Sequence, residues 1–463
     1  MSAHTGSDMT LVYGLGESGE SAARALTERG RAVIASDSGD TPALRSAAER
    51  LGEIGVEVRL GSGVEALSEV LNAVDRIVTS PGIPPRDEVL AEAGRRGVAV
   101  LSEVALGLEL LGDEVRVAAV TGTNGKTTVA DMARRILEAS DVPHVVAGNS
   151  WSAITGRIGE IQRAGNLVLE VSSFQLHYLP DPCFGSAALL NVRPDHLNWH
   201  ASFEEYVRDK MHIFDGQRPA DIALLGARDP VCVEAAGRLH SETILVGAGE
   251  TRVDDGALYL EGERLLEVSE LGFAGRHNHE NALFAAALAQ SLGADEEGIR
   301  SGLSSYLMKP HRMQVVGERG GVLYVDDSKA TNPAAVAAAL CGLERPVVLL
   351  LGGSEKYTDF SEVADVISGC RAVVCHGEAG SRIAESLSGV AEGSGVELVR
   401  AVSLGEAVSE ARVRARSGDV VLMSPGCASF DEFSGYAERG DEFARLCGAL
   451  GDGSADQRTR EAG

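Results

Sequence analysis

Short apolar runs recur along the chain, and each ends in a loop followed by a helical pattern. They include Leu11 to Tyr13, Ala32 to Ala35, Arg76 to Thr79, Val115 to Val120, Asn166 to Leu169 and Ala187 to Leu190. A strand buried on both faces reads as a continuous apolar run, not as an alternation. Strand, loop and helix repeated in this order predict an α/β protein with parallel sheets. The pattern changes around residues 305–315, where Lys309-Pro310-His311-Arg312 reads as a break. A new series follows: Val322 to Val325, Val347 to Leu351, Ala372 to Cys375 and Val420 to Met423. No internal repeat with a solenoid period is visible.

The loops after the strands carry the chemistry. After the first run comes Gly14-Leu15-Gly16-Glu17-Ser18-Gly19, and Asp37 ends the second run about 20 residues later. Strand, Gly-x-Gly-x-x-Gly, helix and a following acidic residue form a dinucleotide-fold fingerprint. It predicts a diphosphate on the helix N-terminus with Asp37 near a ribose or base. Tight strand–helix packing without a ligand is the alternative. Arg76 to Thr79 runs into Ser80-Pro81-Gly82-Ile83, a rigid turn at a strand C-terminus, where ligands of open α/β sheets bind. The fourth run leads into Thr121-Gly122-Thr123-Asn124-Gly125-Lys126-Thr127-Thr128, the layout of a P-loop. Backbone N–H groups can close around phosphate oxygens there, Lys126 can reach the β/γ-phosphates, and the Thr127 hydroxyl can sit on Mg²⁺. Only two residues separate Gly122 from Gly125, so the loop is a tighter variant than the common one. Glu170 ends the next strand, where a P-loop needs a carboxylate for Mg²⁺. His and Asp crowd a third strand end, Asn191-Val192-Arg193-Pro194-Asp195-His196, and suggest a second metal position. An amphipathic helix from Phe203 carries Lys210 toward its end. The motifs divide the chain into a Rossmann-like domain at 1–112, a P-loop domain at 113–308 and a Rossmann-like domain at 309–463, with a disordered tail expected at 451–463.

Composition narrows the function. The chain has 463 residues, with 42 basic and 68 acidic side chains and a formal net charge of −26. Phosphate backbones and anionic lipid repel such a surface, so neither nucleic acid nor membrane is an expected partner. Seven scattered cysteines without a Cys-x-x-Cys pair predict reduced thiols in a cytoplasm. No apolar stretch approaches the roughly 20 residues that span a bilayer, and Met1 to Thr10 does not resemble a signal peptide.

Seven segments in order resemble the Mur ligases of peptidoglycan synthesis. They are the P-loop, Glu170-Val171-Ser172-Ser173-Phe174-Gln175-Leu176, Asn191 to His196, His277 to Ala282, Asp326 to Pro333, Leu351-Gly352-Gly353 with Lys356, and Ser424 to Asp431. The resemblance implies that a carboxylate attacks the γ-phosphate of ATP, and that an amine then attacks the resulting acyl phosphate. Within the family it implies UDP-N-acetylmuramoyl-L-alanine as carboxylate donor, D-glutamate as amine, and a monomeric enzyme. It implies two Mg²⁺ ions held by Thr127, Glu170, His196 and Lys210, with Lys210 carbamylated. On its own residues Lys210 reads as a solvated helix lysine, and only the resemblance gives it that role. Lys126, His196, Lys210 and Arg312 are implied as catalytic. ATP falls to Gly122, Thr123, Asn124, Gly125, Lys126, Thr127, Thr128, Asn278 and Asp327. The sugar nucleotide falls to Gly14, Leu15, Gly16, Asp37, Ser80, Gly82 and Asn149. D-glutamate falls to Lys329, Thr331, Lys356, Ser429 and Phe430. The chain departs from the family at Ser150-Trp151, where a Gly-Asn-Ile-Gly segment is usual, and at Tyr436, where phenylalanine is usual. A Mur-type ligase with L-glutamate as acceptor and a folylpolyglutamate synthase remain alternatives.

Overall fold

The computed structural model describes residues 9–196, 199–273, 275–308, 310–341, 343, 345–355 and 358–448. Two compact units divide it: Met1–Val268 with Glu280–Ser304, and Ser269–His279 with Ser305–Gly463.

The first unit holds two parallel sheets. Strands β1 (Met9–Tyr13), β2 (Ala32–Asp37), β3 (Glu57–Leu60), β4 (Arg76–Thr79) and β5 (Ala99–Ser102) pair in the order β3-β2-β1-β4-β5. The order reverses beside β1, so the loops after β1 and β4 face one crevice. The second sheet contains β6 (Arg116–Thr121), β7 (Val145–Gly148), β8 (Asn166–Glu170), β9 (Ser186–Leu189), β10 (Ile222–Gly226) and β11 (Glu242–Val246). Its order is β11-β10-β9-β6-β8-β7, with every pair parallel. Central β6 is flanked by β8 and β9. The loop after β6 therefore opens between Glu170 and Asn191. Leu169, Val171, Leu189, Tyr206 and Phe214 belong to one apolar cluster that fixes these strand ends. A small antiparallel sheet, β12 (Arg252–Asp254), β13 (Ala257–Leu260) and β14 (Glu263–Glu267), follows.

The second unit has one sheet: β15 (Gln314–Arg319), β16 (Val322–Asp326), β17 (Val347–Gly352), β18 (Cys370–His376), β19 (Glu397–Arg400) and β20 (Val420–Gly426). They run β15-β16-β20-β17-β18-β19, and only β15 is antiparallel. The neighbours β16 and β20 bring Asp326 to Lys329 and Ser424 to Ser429 to one sheet edge. The fold is α/β throughout its main sheets. No helix among the described residues is long and apolar enough to cross a membrane.

Candidate active site

Gly125 sits at φ +92° as the N-cap of the helix Lys126–Ala139. Left-handed backbone there turns the loop sharply, and only glycine takes it without strain. Neighbouring strand ends lace the loop in place. Thr123 N–H donates to the Asn191 carbonyl at 2.9 Å, and Asn124 N–H donates to Asn191 Oδ1 at 2.9 Å. The Thr123 hydroxyl lies 3.0 Å from the Tyr206 hydroxyl. Lys126 folds back, its Nζ donating to the carbonyls of Gly122 at 2.7 Å and Thr123 at 2.9 Å. The loop is thus held at a helix N-terminus, a place that favours an anion, with the Lys126 cation beside it. Thr128 is buried behind it.

Glu170 is fully buried, and among the described residues no lysine or arginine pairs with it. Four neutral donors surround it. Oε1 lies 3.1 Å from Thr127 Oγ1 and accepts from Asn149 Nδ2 at 3.0 Å and Ser150 Oγ at 2.9 Å. Oε2 accepts the Trp151 indole N–H at 3.0 Å. A buried carboxylate without a counter-cation is costly, and two of its four neighbours are hydroxyls. Hard oxygen donors around an uncompensated charge fit Mg²⁺.

Lys210 rides on the helix Phe203–Met211, which Ser202 caps by accepting the Glu205 N–H at 3.2 Å. Only 2% of the residue is exposed. Its Nζ donates to the Gly122 carbonyl at 2.8 Å and lies 4.7 Å from the centre of the Tyr206 ring. Burial, and next the charge of Lys126, hold its pKa well below the usual lysine range. The neutral amine is thereby favoured. The His196 ring lies 6.5 Å from the Tyr206 ring, centroid to centroid, and its own backbone takes φ +55°. Its ring meets Phe174 edge-on at 4.9 Å. Among the described residues no three His, Cys, Asp or Glu side chains converge as a metal cage. A second metal position here needs further oxygens.

The loop after β1 separates packing glycines from accessible ones. A Cβ on Gly19 would lie 1.8 Å from the Gly14 carbonyl oxygen, and one on Gly14 would lie 2.8 Å from Ser80. A Cβ on Gly16 or Gly82 would meet nothing within 4 Å. Packing therefore explains the first pair, and open approach space remains beside the second. Asp37 spends both oxygens on the loop, accepting the N–H groups of Leu15 and Gly39 at 2.8 Å each. Ser80 Oγ donates to the Gly14 carbonyl at 2.8 Å.

Within the second unit, Asp327 accepts the Ser424 hydroxyl at 2.8 Å and the Met313 N–H at 3.2 Å. Burial pushes its carboxyl up to about 7, against those hydrogen bonds and the nearby Arg312 charge. The Lys329 ammonium lies 3.9 Å from the centre of the Tyr436 ring, which is a cation–π contact. Ser429 is buried and Phe430 is exposed. Buried Arg439 binds three carbonyls, those of Ala428, Ser328 and Cys427, at 2.9–3.0 Å. It thus joins the two loops that carry Lys329 and Ser429. His277 and Asn278 lie in the first turn of the helix Arg276–Ser291, where burial lowers the His277 pKa to about 4. Thr331 lies between Lys329 and the helix Pro333–Cys341. Lys356 lies outside the described residues.

The first unit thus gathers the phosphate loop, Asn149, Glu170, His196 and Lys210. The second holds Asn278, Arg312, Asp327, Lys329, Thr331, Ser429 and Phe430. Sequence reasoning missed the Trp151 and Ser150 donors, the Tyr206 bridge and the Arg439 clamp. An arginine in a charged helix and a tyrosine on an amphipathic one carry no signal of such contacts.

Family models match all three sheet regions. The Mur ligase MurD-like N-terminal domain matches residues 8–102, the Mur ligase middle domain 120–289, and the Mur ligase glutamate ligase domain 311–427. The chain belongs to the Mur ligase family. Among its relatives, a UDP-N-acetylmuramoylalanine–D-glutamate ligase of Rubrobacter xylanophilus is 64% identical over 95% of this chain and 98% of its own. The ligase of the same name from Streptomyces coelicolor is 38% identical over 95% of this chain and 98% of its own. Solved structures share the fold at low identity. A pseudomurein peptide ligase type C from Methanothermus fervidus is 18% identical with a TM-score of 0.57, over 95% of this chain and all of its own. The UDP-N-acetylmuramate-alanine ligase MurC of Thermotoga maritima is 18% identical with a TM-score of 0.56, over 96% of this chain and 99% of its own.

Proposed function

We propose that this chain joins D-glutamate to UDP-N-acetylmuramoyl-L-alanine, with ATP converted to ADP and phosphate, as a cytoplasmic monomer in peptidoglycan precursor synthesis. The observation that carries the reading is the Thr127–Glu170 pair, a hydroxyl 3.1 Å from a buried uncompensated carboxylate at the mouth of a phosphate loop. The donor carboxylate attacks the γ-phosphorus, the bond to the bridging oxygen breaks, and ADP leaves. The D-glutamate amine then attacks the acyl phosphate and phosphate departs. A carboxylate must approach a polyanion, so the site's task is charge control. Lys126 and Arg312 supply fixed positive charge to the phosphates. Bound Mg²⁺ at Thr127 and Glu170, and a second ion near His196, would neutralise charge developing on the phosphoryl oxygens.

Lys210 supports this reading through its burial, which shifts its pKa downward and so favours the amine over the ammonium. An ammonium near Mg²⁺ would repel it. The amine adds to the carbon of CO₂ and loses a proton, and the carbamate supplies hard oxygen ligands in place of a positive charge. Asn124, Asn278 and Asp327 serve the nucleotide, with Asp327 on the ribose. Gly14, Leu15, Gly16, Asp37, Ser80 and Gly82 cradle the UDP, and Asn149 serves the muramoyl-alanine end. Lys329, Thr331, Lys356, Ser429 and Phe430 hold the dicarboxylate acceptor, with the Tyr436 ring steadying the Lys329 charge. The three domains are 1–112, 113–308 and 309–463. An acceptor screen with D- and L-amino acids, read by mass spectrometry, tests the acceptor. A product from D-glutamate alone is expected, and a product only from L-glutamate or from a folate substrate would overturn the assignment.

A further inference from the structure

Glu170 divides its partners unevenly. Three donors, Thr127 Oγ1, Asn149 Nδ2 and Ser150 Oγ, converge on Oε1 within 3.1 Å. Oε2 accepts the Trp151 indole N–H at 3.0 Å. The two groups differ in what they can do when a cation arrives. Hydroxyls rotate and can offer a lone pair to a metal, so Thr127 and Ser150 can yield Oε1 or join it as ligands. An indole N–H, like the Asn149 amide NH2, is a donor only and cannot ligate a cation. A cation at Oε1 gives the indole no reason to leave Oε2. Trp151 also sits three residues beyond the strand end at Gly148, and a tight turn fixes its backbone: the Trp151 N–H donates to the Gly148 carbonyl at 2.9 Å and the Gly148 N–H to the Ser152 carbonyl at 3.1 Å.

We propose that Trp151 is a positioning residue for the metal site, locking the Glu170 carboxylate so that Oε1 alone faces the cation. The inference rests on the Mg²⁺ assignment made under the proposed function. The same indole fills the place where the chain departs from the family's usual segment, so this chain holds its metal carboxylate from outside by a tryptophan. Partners that orient a metal ligand are generally worth about 10–100-fold in metal affinity.

The test is ADP binding by calorimetry, with Mg²⁺ and with EDTA, for wild type and Trp151→Phe. Phenylalanine keeps an aromatic ring, though a smaller one, and deletes the N–H. The expected result is a loss of about 10-fold in ADP affinity in Mg²⁺, the lower end of that range, with affinity in EDTA unchanged. A general loosening of the loop would lower both. Wild-type Mg²⁺ dependence in Trp151→Phe, or an equal loss in both media, would overturn the inference while leaving the metal site intact. Wild-type binding that ignores Mg²⁺ would instead refute the metal assignment beneath it. A second measurement needs no variant. In protein labelled with ¹⁵N at the indole nitrogens of its two tryptophans, one N–H signal should move when Mg²⁺ is added to the ADP complex. Neither moving would count against the proposal.

Discussion

Replacing Asp327 by asparagine should stabilise the protein at pH 8 while weakening its hold on nucleotide. Asp327 is only 8% exposed. Burial raises its carboxyl from 3.8 to about 7, despite hydrogen bonds from Ser424 and Met313 and the Arg312 charge. Between those two values the folded protein holds a proton that the unfolded chain has released. Stability therefore falls as pH rises through this window, and the loss is complete above the folded value. Each tenfold change in proton affinity is about 1.4 kcal/mol, so the ionised group costs the fold at most roughly 4 kcal/mol at pH 8. Asparagine can keep its one oxygen for the Met313 N–H and turn its amide N–H to the Ser424 hydroxyl, which then accepts, but it gives up the attraction to Arg312. A net gain of about 1–3 kcal/mol remains at pH 8, with little or none at pH 4. Thermal melts of both proteins from pH 4 to pH 8 measure it, and ADP titration measures the functional cost. A group kept at such a cost points to use elsewhere, here the nucleotide ribose. A variant that melts below wild type at pH 8, or shows the same pH slope, would refute the reasoning. Unchanged ADP affinity would remove the ribose role.

Four further substitutions separate chemistry from packing. Lys210→Ala should be nearly inactive and partly rescued by acetate, measured as phosphate release; full activity without rescue would end the carbamate role. Lys126→Ala should lose turnover of ATP yet melt within a few degrees of wild type, because a loop lysine carries little packing. Gly19→Ala should destabilise the N-terminal sheet, since its Cβ would lie 1.8 Å from a carbonyl oxygen. Gly16→Ala should fold normally and lose affinity for the UDP-sugar, read by calorimetry, because open space surrounds that position.

The buried parallel strands were legible because burial on both faces writes them as apolar runs. Arg76–Thr79 has the bounds expected of it, and Val347–Gly352 exceeds its expected run by one residue. The antiparallel strands Arg252–Asp254, Ala257–Leu260 and Glu263–Glu267 were not foreseen, for all three are short and the outer two carry charges. The edge strand Gln314–Arg319 escaped for the same reason: its pairing is fixed by β16 and not by its own hydrophobicity. At the site, glycines and strand-end acids are visible because loop geometry demands particular residue types. Lys210 shows the limit. Its helix looks ordinary in sequence, and its character comes from burial against Gly122, 88 residues away. Trp151 looked like bulk in a loop that usually holds glycine. In the structure it is a donor to Glu170.

In the proposed function this site couples ATP cleavage to the joining of two particular substrates. Phosphate release measured with ATP and Mg²⁺, with each substrate alone and with both, tests it most directly. Release is expected only when UDP-N-acetylmuramoyl-L-alanine and D-glutamate are present together. Release at an equal rate without either substrate would contradict it.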